Sequence, residues 1–507
     1  MRARTRAPKS PQRTSRRRLT WAVLLVVMAL MALGPSPQAP AQAVVPATSV
    51  APPSPTSAQT NSTAGPAPST AVTITTHVSI SKTVIGHDTG EFSGVDLSPT
   101  QTLGSTLTHM LKATGITYVR WPSGKLNDQY DPIQNVVHYD NGSSSVGRTN
   151  LSAFVAWCRS THCHAILGIP GETNNSSYAA AEVSYVERVL GFHPTFWEIG
   201  NEPGLWQHYN IPWSQWGTSQ QSGTSPEGYA QIVHRYLSAI HSIDPLAKVL
   251  GLPGTGLGAY DESEWVYDTV KLNGPSLAAV AIHVYPAGHL SGLTGNLSQF
   301  DQSLSGKSAI DQRVPLDRAA IRSACPRCHL SLFATEYNAA SVGSLNDTGT
   351  YGQFMQGSDE VPYMAAVVAQ GLSHRVSNMD IFNFESGFPG AMVASNGTAR
   401  PLYYLYSEIF RHLDKNVVQT TFSESLGEFF GSTTTSGNTS MVLLLANANP
   451  TTNIKVDLVG SGILLHQSGT AWIFGPGMAQ PKERNWSGSV PLYWTVSAES
   501  VLLIDIG

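Results

Sequence analysis

Two short runs hold the residues best suited to chemistry. Trp197-Glu198-Ile199-Gly200-Asn201-Glu202-Pro203 and Phe333-Ala334-Thr335-Glu336-Tyr337-Asn338 each place a glutamate at the end of an apolar, strand-like segment. A carboxylate there is costly to desolvate unless it is paired or used. Two carboxylates facing one cleft can split an acetal. One, with its pKa raised, protonates the leaving oxygen, and the other attacks the anomeric carbon, which is the chemistry of glycosidic cleavage. Either glutamate alone reads as an exposed loop carboxylate. Two of them at matching strand ends turn the reading toward catalysis by Glu202 and Glu336. Glu198 lies inside its strand, four residues before Glu202, and is expected as a barrel-interior or supporting group.

Positioning such a pair needs a scaffold, and the chain supplies a regular one. Apolar segments at Phe92–Val95, Ile116–Trp121, Ala165–Ile169, Thr195–Ile199, Lys248–Leu252, Ala278–His283, Leu330–Thr335 and Met379–Phe384 read as strands. Helical patterns alternate with them at Leu103–Thr114, Leu151–Cys158, Tyr178–Leu190, Gly228–Ile243, Glu262–Leu272, Asp317–Ala324, Tyr363–Gly371 and Tyr403–Leu413. Eight such units fit an α/β fold of the closed (β/α)8 TIM-barrel type better than an open sheet. The barrel is expected over residues 85–413. The glutamates then end the fourth and seventh strands, on the rim where barrels carry their working groups.

Beyond residue 413 the pattern changes. Val417–Phe422, Glu428–Thr434, Met441–Ala446, Lys455–Val459, Ala471–Phe474, Val490–Tyr493 and Val501–Ile506 are short strands divided by Gly, Asn, Ser and Pro. They predict a C-terminal β-sandwich over residues 414–507. Strands near the start of the folded body, residues 71–84, are expected to join it, because a hairpin on its own is marginal.

With these runs and this order, the chain resembles the clan of retaining (β/α)8 glycoside hydrolases whose acid/base Glu closes strand 4 and whose nucleophile Glu closes strand 7. The Asn-Glu-Pro of the first run is the more specific match. Glu-Ile-Gly-Asn-Glu-Pro is similar to family 79, and Thr-Glu-Tyr-Asn to families 39 and 51. The resemblance implies Glu202 as acid/base, Glu336 as nucleophile and Asn201 as donor to the sugar 2-hydroxyl. It also implies that Arg120, which closes strand 2, orients the nucleophile; a guanidinium there would hold Glu336 ionised. Strand 6 ends in His283-Val284-Tyr285, and alternation aims the His and the Tyr to one side. In the clan such a pair lies beside the two glutamates; the plainer reading of His283 is a satisfied core histidine.

Glu172 and Asn174 after strand 3, Trp206 after the fourth, and Asn383 and Glu385 after the eighth are further substrate-binding candidates. Trp206, Trp213 and Trp216 on one loop would either stack on sugar faces or anchor the loop. The clan usually has a Trp closing strand 8, whereas Phe382-Asn383-Phe384-Glu385 stands here. Glu385 at that point would bind a sugar hydroxyl or repel an acidic substrate. Gly254-Thr255-Gly256-Leu257-Gly258 lacks both the Lys-Ser/Thr of a P-loop and dinucleotide-type spacing, so it reads as a loop.

The cysteines Cys158, Cys163, Cys325 and Cys328 all precede strand 3 or strand 7, at the far face of the barrel. Strands 3 and 7 oppose each other, which disfavours one zinc site built from all four thiolates. In an exported protein two local disulfides are expected, Cys158–Cys163 and Cys325–Cys328, although four cysteines allow three pairings. Neither a metal nor a cofactor is implied by any cluster.

The 507 residues carry 30 Lys+Arg and 34 Asp+Glu, but eight cations fall in the first 18 residues. That basic run, the apolar stretch Leu19–Leu33 and Ala41-Gln42-Ala43 read as a signal peptide over residues 1–43. An uncleaved anchor is the alternative, though the stretch is shorter than the roughly 20 residues a spanning helix needs. Residues 44–70, rich in Pro, Ser, Thr and Ala, read as a linker. Cleavage after Ala43 would leave 22 cations against 34 anions, a net charge of −12. An acidic chain of this kind is a poor partner for nucleic acid or an anionic membrane. The expectation is therefore a secreted glycosidase acting on an oligosaccharide, polysaccharide or glycoside, held at the cell surface if the signal is uncleaved. The alternatives are a non-catalytic carbohydrate-binding or wall-associated barrel, and a transglycosylase.

Overall fold

Alternation along the barrel strands decides what faces inward. In the computed structural model, eight parallel strands close into a barrel: Ser93–Asp96, Tyr118–Trp121, His164–Ile169, Phe196–Ile199, Val249–Gly251, Ala279–Val284, Ser331–Tyr337 and Asn378–Ile381. Closure is made by the last strand on the first, with Asp380 opposite Gly94. Every second residue points in, as the pleat requires. Tyr118, Ile166, Phe196, Leu250, Ala279, Ala281 and Phe333 form an apolar layer of the interior. One step toward the strand C-termini the inward positions become Asp96, Arg120, Glu198 and Asp380, all fully buried. The barrel is thus plugged by hydrocarbon below and by charge above.

The structure describes residues 72–507 apart from 88, 209–224, 256–261, 289–297, 342–349, 438–439, 461–467, 488–491 and 507. The expected signal and linker, Trp213, Trp216 and Gly256–Gly258 lie outside the described residues.

Eight helices, one after each barrel strand, cover the barrel: Ser105–Thr114, Leu151–Thr161, Ser176–Ser184, Pro226–Ile243, Glu262–Asn273, Ile310–Ala324, Glu360–Ser373 and Pro401–His412. Several begin where a side chain accepts an otherwise unpaired N–H: Asn150 from Ala153, Asn175 from Tyr178 and Ser225 from Gly228. The helix expected only over Asp317–Ala324 begins at Ile310 and accommodates Pro315 within it. Between the second strand and its main helix sit the short helix Leu126–Gln129 and a small sheet of Tyr130–Asp131, Val136–His138 and Ser144–Val146. None of these was anticipated, since each is too short to show a period.

Glu385–Ser386 and Val393–Ala394 pair in a small two-stranded sheet, and nine further strands form one large sheet. Its order is Lys482–Ser487, Ser468–Phe474, Ser500–Ile506, Ser440–Asn447, Phe429–Ser436, Asn416–Phe422, Val72–His87, Thr452–Gly460 and Leu492–Val496. Strands from both ends of this order share one core of Val78, Ile80, Leu443, Leu445, Leu458, Leu492 and Ile504, which makes the sheet a sandwich. The first strand, Val72–His87, lies inside it, antiparallel to Asn416–Phe422 and parallel to Thr452–Gly460. Lys482–Ser487 was not anticipated; it is a mostly exposed edge strand with no apolar alternation.

Met441-Val442-Leu443-Leu444-Leu445-Ala446 lacks alternation because both of its faces are covered. Met441, Leu443 and Leu445 enter the sandwich core, while Val442, Leu444 and Ala446 join the barrel's core. The helix Glu360–Ser373 packs on this second face and is buried from Glu360 through Leu372. A helix apolar on all sides belongs between two layers.

The structure joins Cys158 to Cys163 and Cys325 to Cys328. Sequence separations of only five and three limit what either bond adds by restricting the unfolded chain.

Candidate active site

The charged layer of the barrel opens onto the glutamate pair. Arg120, on the second strand and fully buried, uses its whole guanidinium. Nε donates to Glu198 Oε2 at 2.5 Å, one terminal nitrogen to Glu336 Oε1 at 2.7 Å and the other to Asn201 Oδ1 at 2.8 Å. Asp96 Oδ2 stands 3.6 Å from the same guanidinium. One side chain therefore fixes Glu336, Asn201 and the interior Glu198 together, which suits the planar fork of arginine. Burial and neighbouring acids push the carboxyls of Asp96 and Asp380 well above the usual range, despite Arg120. Burial raises Glu198 as well, opposed by Arg120.

Glu336 ends the seventh strand. Its Oε2 accepts a hydrogen bond of 2.8 Å from the Tyr285 hydroxyl, so both oxygens are held. His283 lies between the two glutamates, its Nδ1 3.1 Å from Glu202 Oε1 and 3.4 Å from Glu336 Oε2. Burial pulls its pKa down to about 3, so the imidazole is neutral at ordinary pH. Gly254, at φ +61, is pressed against this ring; an added Cβ would lie 2.4 Å from His283 Cγ. Only glycine fits there.

Glu202 is the more open partner, with 19% of its side chain exposed against 5% for Glu336. Its pKa is pushed up to about 7 by burial, against the pull of Arg120, Arg313 and Lys125. Its backbone has φ +44, a left-handed conformation that glutamate rarely adopts. Neighbouring contacts hold it there. The Glu202 N–H donates to Pro253 O at 3.0 Å, and the Asn201 N–H to Asp128 Oδ2 at 2.8 Å. Asn127 Nδ2 donates to Gly200 O at 2.7 Å. Local strain of this kind persists only where surrounding contacts over-determine it.

The brace is the short helix Leu126–Gln129, which carries both Asn127 and Asp128. Asp128 also accepts the Trp206 indole N–H at 3.0 Å and the Glu172 backbone N–H at 3.0 Å. Burial drives its pKa up to about 7 against these bonds. Neither residue was singled out from sequence. Their significance rests on contacts 73 residues away, and nothing local announces it.

The other candidates divide. Trp206 is 3% exposed, with its indole N–H shared between Asp128 and the Asn201 carbonyl, so of its two readings it has the anchor's role. Asn174 accepts from Arg235 on the fourth barrel helix, outside the glutamate cluster. Glu172 is buried, and burial with Asp128 and Asp140 pushes its pKa up to about 10, leaving it a neutral carboxyl. Asn383 is 8% exposed, and its Oδ1 has no partner among the described residues. Glu385 is half-buried, its backbone carbonyl taken by Gln101. Phe382, just past the eighth strand, was overlooked as a lining residue. A Cβ placed on Gly124 would lie 2.9 Å from its ring and 3.6 Å from Glu336 Oε1, so an aromatic ring stands near Glu336.

Glu202, His283 and Glu336 each put one ligand-type atom within 4.8 Å of the others. A cation there would compete with Arg120 and Tyr285, which already engage Glu336. The donor set is better matched to handling protons.

No family model matches the sequence, and no curated protein matches it either. Solved structures do match in fold. An α-L-arabinofuranosidase from Thermotoga maritima, in complex with arabinose, aligns at TM-score 0.68 and 13% identity, over 85% of this chain and 99% of that one. The family 51 arabinofuranosidase from Xanthomonas axonopodis pv. citri aligns at 0.65 and 16%, over 86% and 100%. A family 44 xyloglucanase from Paenibacillus polymyxa aligns at 0.63 and 12%, over 85% and 99%. At such identities the likeness establishes the architecture, a (β/α)8 barrel joined to a β-sandwich.

Proposed function

We propose that this chain is a secreted glycoside hydrolase that cleaves O-glycosidic bonds with retention, by double displacement on Glu336. The observation that carries the reading is the spacing and dissimilarity of the two carboxyls. An oxygen of each lies within 4.8 Å of one on the other. Retaining enzymes hold their carboxyls about 5 Å apart, whereas inverting ones need roughly 6.5–9.5 Å to admit a water.

Their surroundings divide the labour. Glu336, gripped by Arg120 and Tyr285, has its lone pairs aimed and its charge matched, as a nucleophile requires. Glu202, with its pKa near 7, holds a proton in weakly acidic solution and can pass it to the leaving oxygen. Attack by Glu336 on the anomeric carbon forms a glycosyl ester as the C–O bond to the leaving group breaks. Glu202, now ionised, takes a proton from water, and that water releases the sugar from Glu336. Neutral His283, its Nδ1 3.1 Å from Glu202 Oε1, holds that carboxyl in place and keeps a second positive charge out of the cleft. Asn201, its amide oxygen fixed by Arg120, presents its NH2 group toward a sugar hydroxyl.

A glycan substrate is further supported by the neighbours in fold, arabinofuranosidases and a xyloglucanase by name. Two disulfides suit an oxidising compartment outside the cytosol. The test is a fluorogenic glycoside panel with NMR determination of the first product anomer. Glu202→Gln and Glu336→Gln should each lower turnover about 10²–10⁴-fold, the usual contribution of such groups. Full activity in either variant, or an inverted first product, would overturn the reading.

A further inference from the structure

The far face of the barrel carries a second site-like feature. A pocket of about 440 Å³ opens beside the start of the seventh strand, lined by Arg318, Arg322, Arg375, His329, Ser331 and Ser377 together with the apolar Ile321, Leu330 and Leu332. Ser331 begins the strand that Glu336 and Tyr337 end, so this pocket and the glutamate pair lie at opposite ends of the barrel.

Its charge is unusual for this molecule. Three guanidiniums converge, and among the described residues no carboxylate pairs with any of them. Arg318 and Arg322 are one helical turn apart, a spacing at which like charges destabilise a helix. Burial, then Arg375 and Arg322, push the Arg318 pKa down to about 10. Arg318 is further fixed by donating to the Arg375 carbonyl at 2.7 Å. The Arg375 stem packs on Gly86 of the first sandwich strand, its Cγ 3.3 Å from where a Cβ would stand. Over the whole chain acids outnumber bases, 34 to 30. A cluster of mutually repelling, partly immobilised cations stores unfavourable energy that an anion relieves, and guanidiniums take carboxylates and sulfates through paired N–H bonds.

The shape narrows the ligand. The volume falls in the range of about 300–1,000 Å³ that holds organic molecules rather than a bare ion. A lining that combines apolar side chains with hydroxyls and an imidazole suits a pyranose ring as well as its charge. We propose that this pocket binds an acidic sugar unit, a uronate or a sugar sulfate, within a glycan chain, and so tethers the protein to acidic polysaccharide away from the cleft. The tether does not depend on the glutamates being catalytic.

Affinity electrophoresis of the full chain through gels containing polygalacturonate, dextran sulfate or neutral dextran tests this. Retardation is expected in at least one acidic gel, weakened by salt, and absent with neutral dextran. Arg318→Gln/Arg375→Gln, and separately the exposed Arg322→Gln, should weaken retardation at least fivefold, with melting temperature and turnover of any aryl glycoside unchanged. Loss of activity in Glu336→Gln with retardation intact would separate the two sites. No retardation of the wild type, equal retardation of the variants, or equal competition by inorganic phosphate and by oligogalacturonate would each overturn the proposal. So would binding confined to anionic phosphatidylglycerol vesicles.

Discussion

At the scale of single residues, the most informative group is Asp128 rather than either glutamate. It touches no substrate position, yet it receives the Asn201 N–H, the Trp206 indole and the Glu172 N–H. Asn201 and Glu202 therefore stand where they do because a carboxylate 73 residues earlier collects their loop. Asp128→Asn keeps the shape but replaces one acceptor oxygen by an NH2 group, which faces a donor. An unsatisfied buried donor costs about 1–3 kcal/mol. If that cost is expressed as displacement of Glu202, kcat should fall roughly 10–100-fold with little change in KM, and the alkaline limb of the pH profile should move. Steady-state kinetics across pH would show this; a lowered melting temperature with an unmoved profile would make Asp128 merely structural. The glutamates were legible because strand and motif are local. Asp128 and Phe382 were not, because their roles arise where distant segments meet. Trp206 could not be settled from sequence for the same reason: an indole that stacks on sugar and one that braces a loop look alike until Asp128 is seen beside it.

At the scale of elements, the first strand does the most to define the fold. Val72–His87 bridges a six-stranded part of the sheet and the two strands Thr452–Gly460 and Leu492–Val496. Its Val78 and Ile80 are fully buried in the sandwich core. Alternation of Val72, Ile74, Val78 and Ile80 made the strand visible in sequence; its partners were not, since parallel pairing with residues some 380 positions away leaves no local trace. A chain beginning at Thr89 should lose the two outer strands' anchorage, whereas one beginning at Val72 keeps it. We expect the shorter chain to be insoluble or to melt at least about 5 °C lower by calorimetry, in line with the loss of several kcal/mol of buried surface. Ile80→Asp, which leaves the backbone in place and buries a charge, should act in the same direction. Equal melting temperatures for the two chains would show the strand to be dispensable. The helix Glu360–Ser373 makes a related point. Its apolar faces allowed helix assignment, but only its packing against the strand Ser440–Asn447 explains why it has no polar side.

At the scale of the whole molecule, charge is scarce and much of it is inside. Lys, Arg, Asp and Glu make up 13% of residues against a typical ~25%. Asp96, Asp380, Glu182, Glu198 and Glu360 are buried and raised in pKa, chiefly by loss of water. Asp128 and Glu202 are raised to about 7. A carboxyl whose pKa is higher folded than unfolded binds more protons in the native state. Its stabilising contribution is complete below the unfolded value of about 4 and is lost as pH rises through the folded value. For the two groups near 7, the loss falls between pH 4 and about 7. His283 acts oppositely, since its pKa near 3 costs stability as pH drops below about 6.5, but it is one group against several. The melting temperature should therefore rise as pH is lowered from about 8 to about 5, and scanning calorimetry across that range would show a flat or falling trend if these carboxyls were ionised in the native state. Activity should follow the same side of neutrality. With Glu202 at about 7, kcat/KM should decline about tenfold for each pH unit well above 7, as the proton donor is lost. A profile flat to pH 9 would remove Glu202 from the proton-donor role. Because burial raises both Glu202 and Asp128 to about 7, activity and part of the stability should be lost over the same pH range.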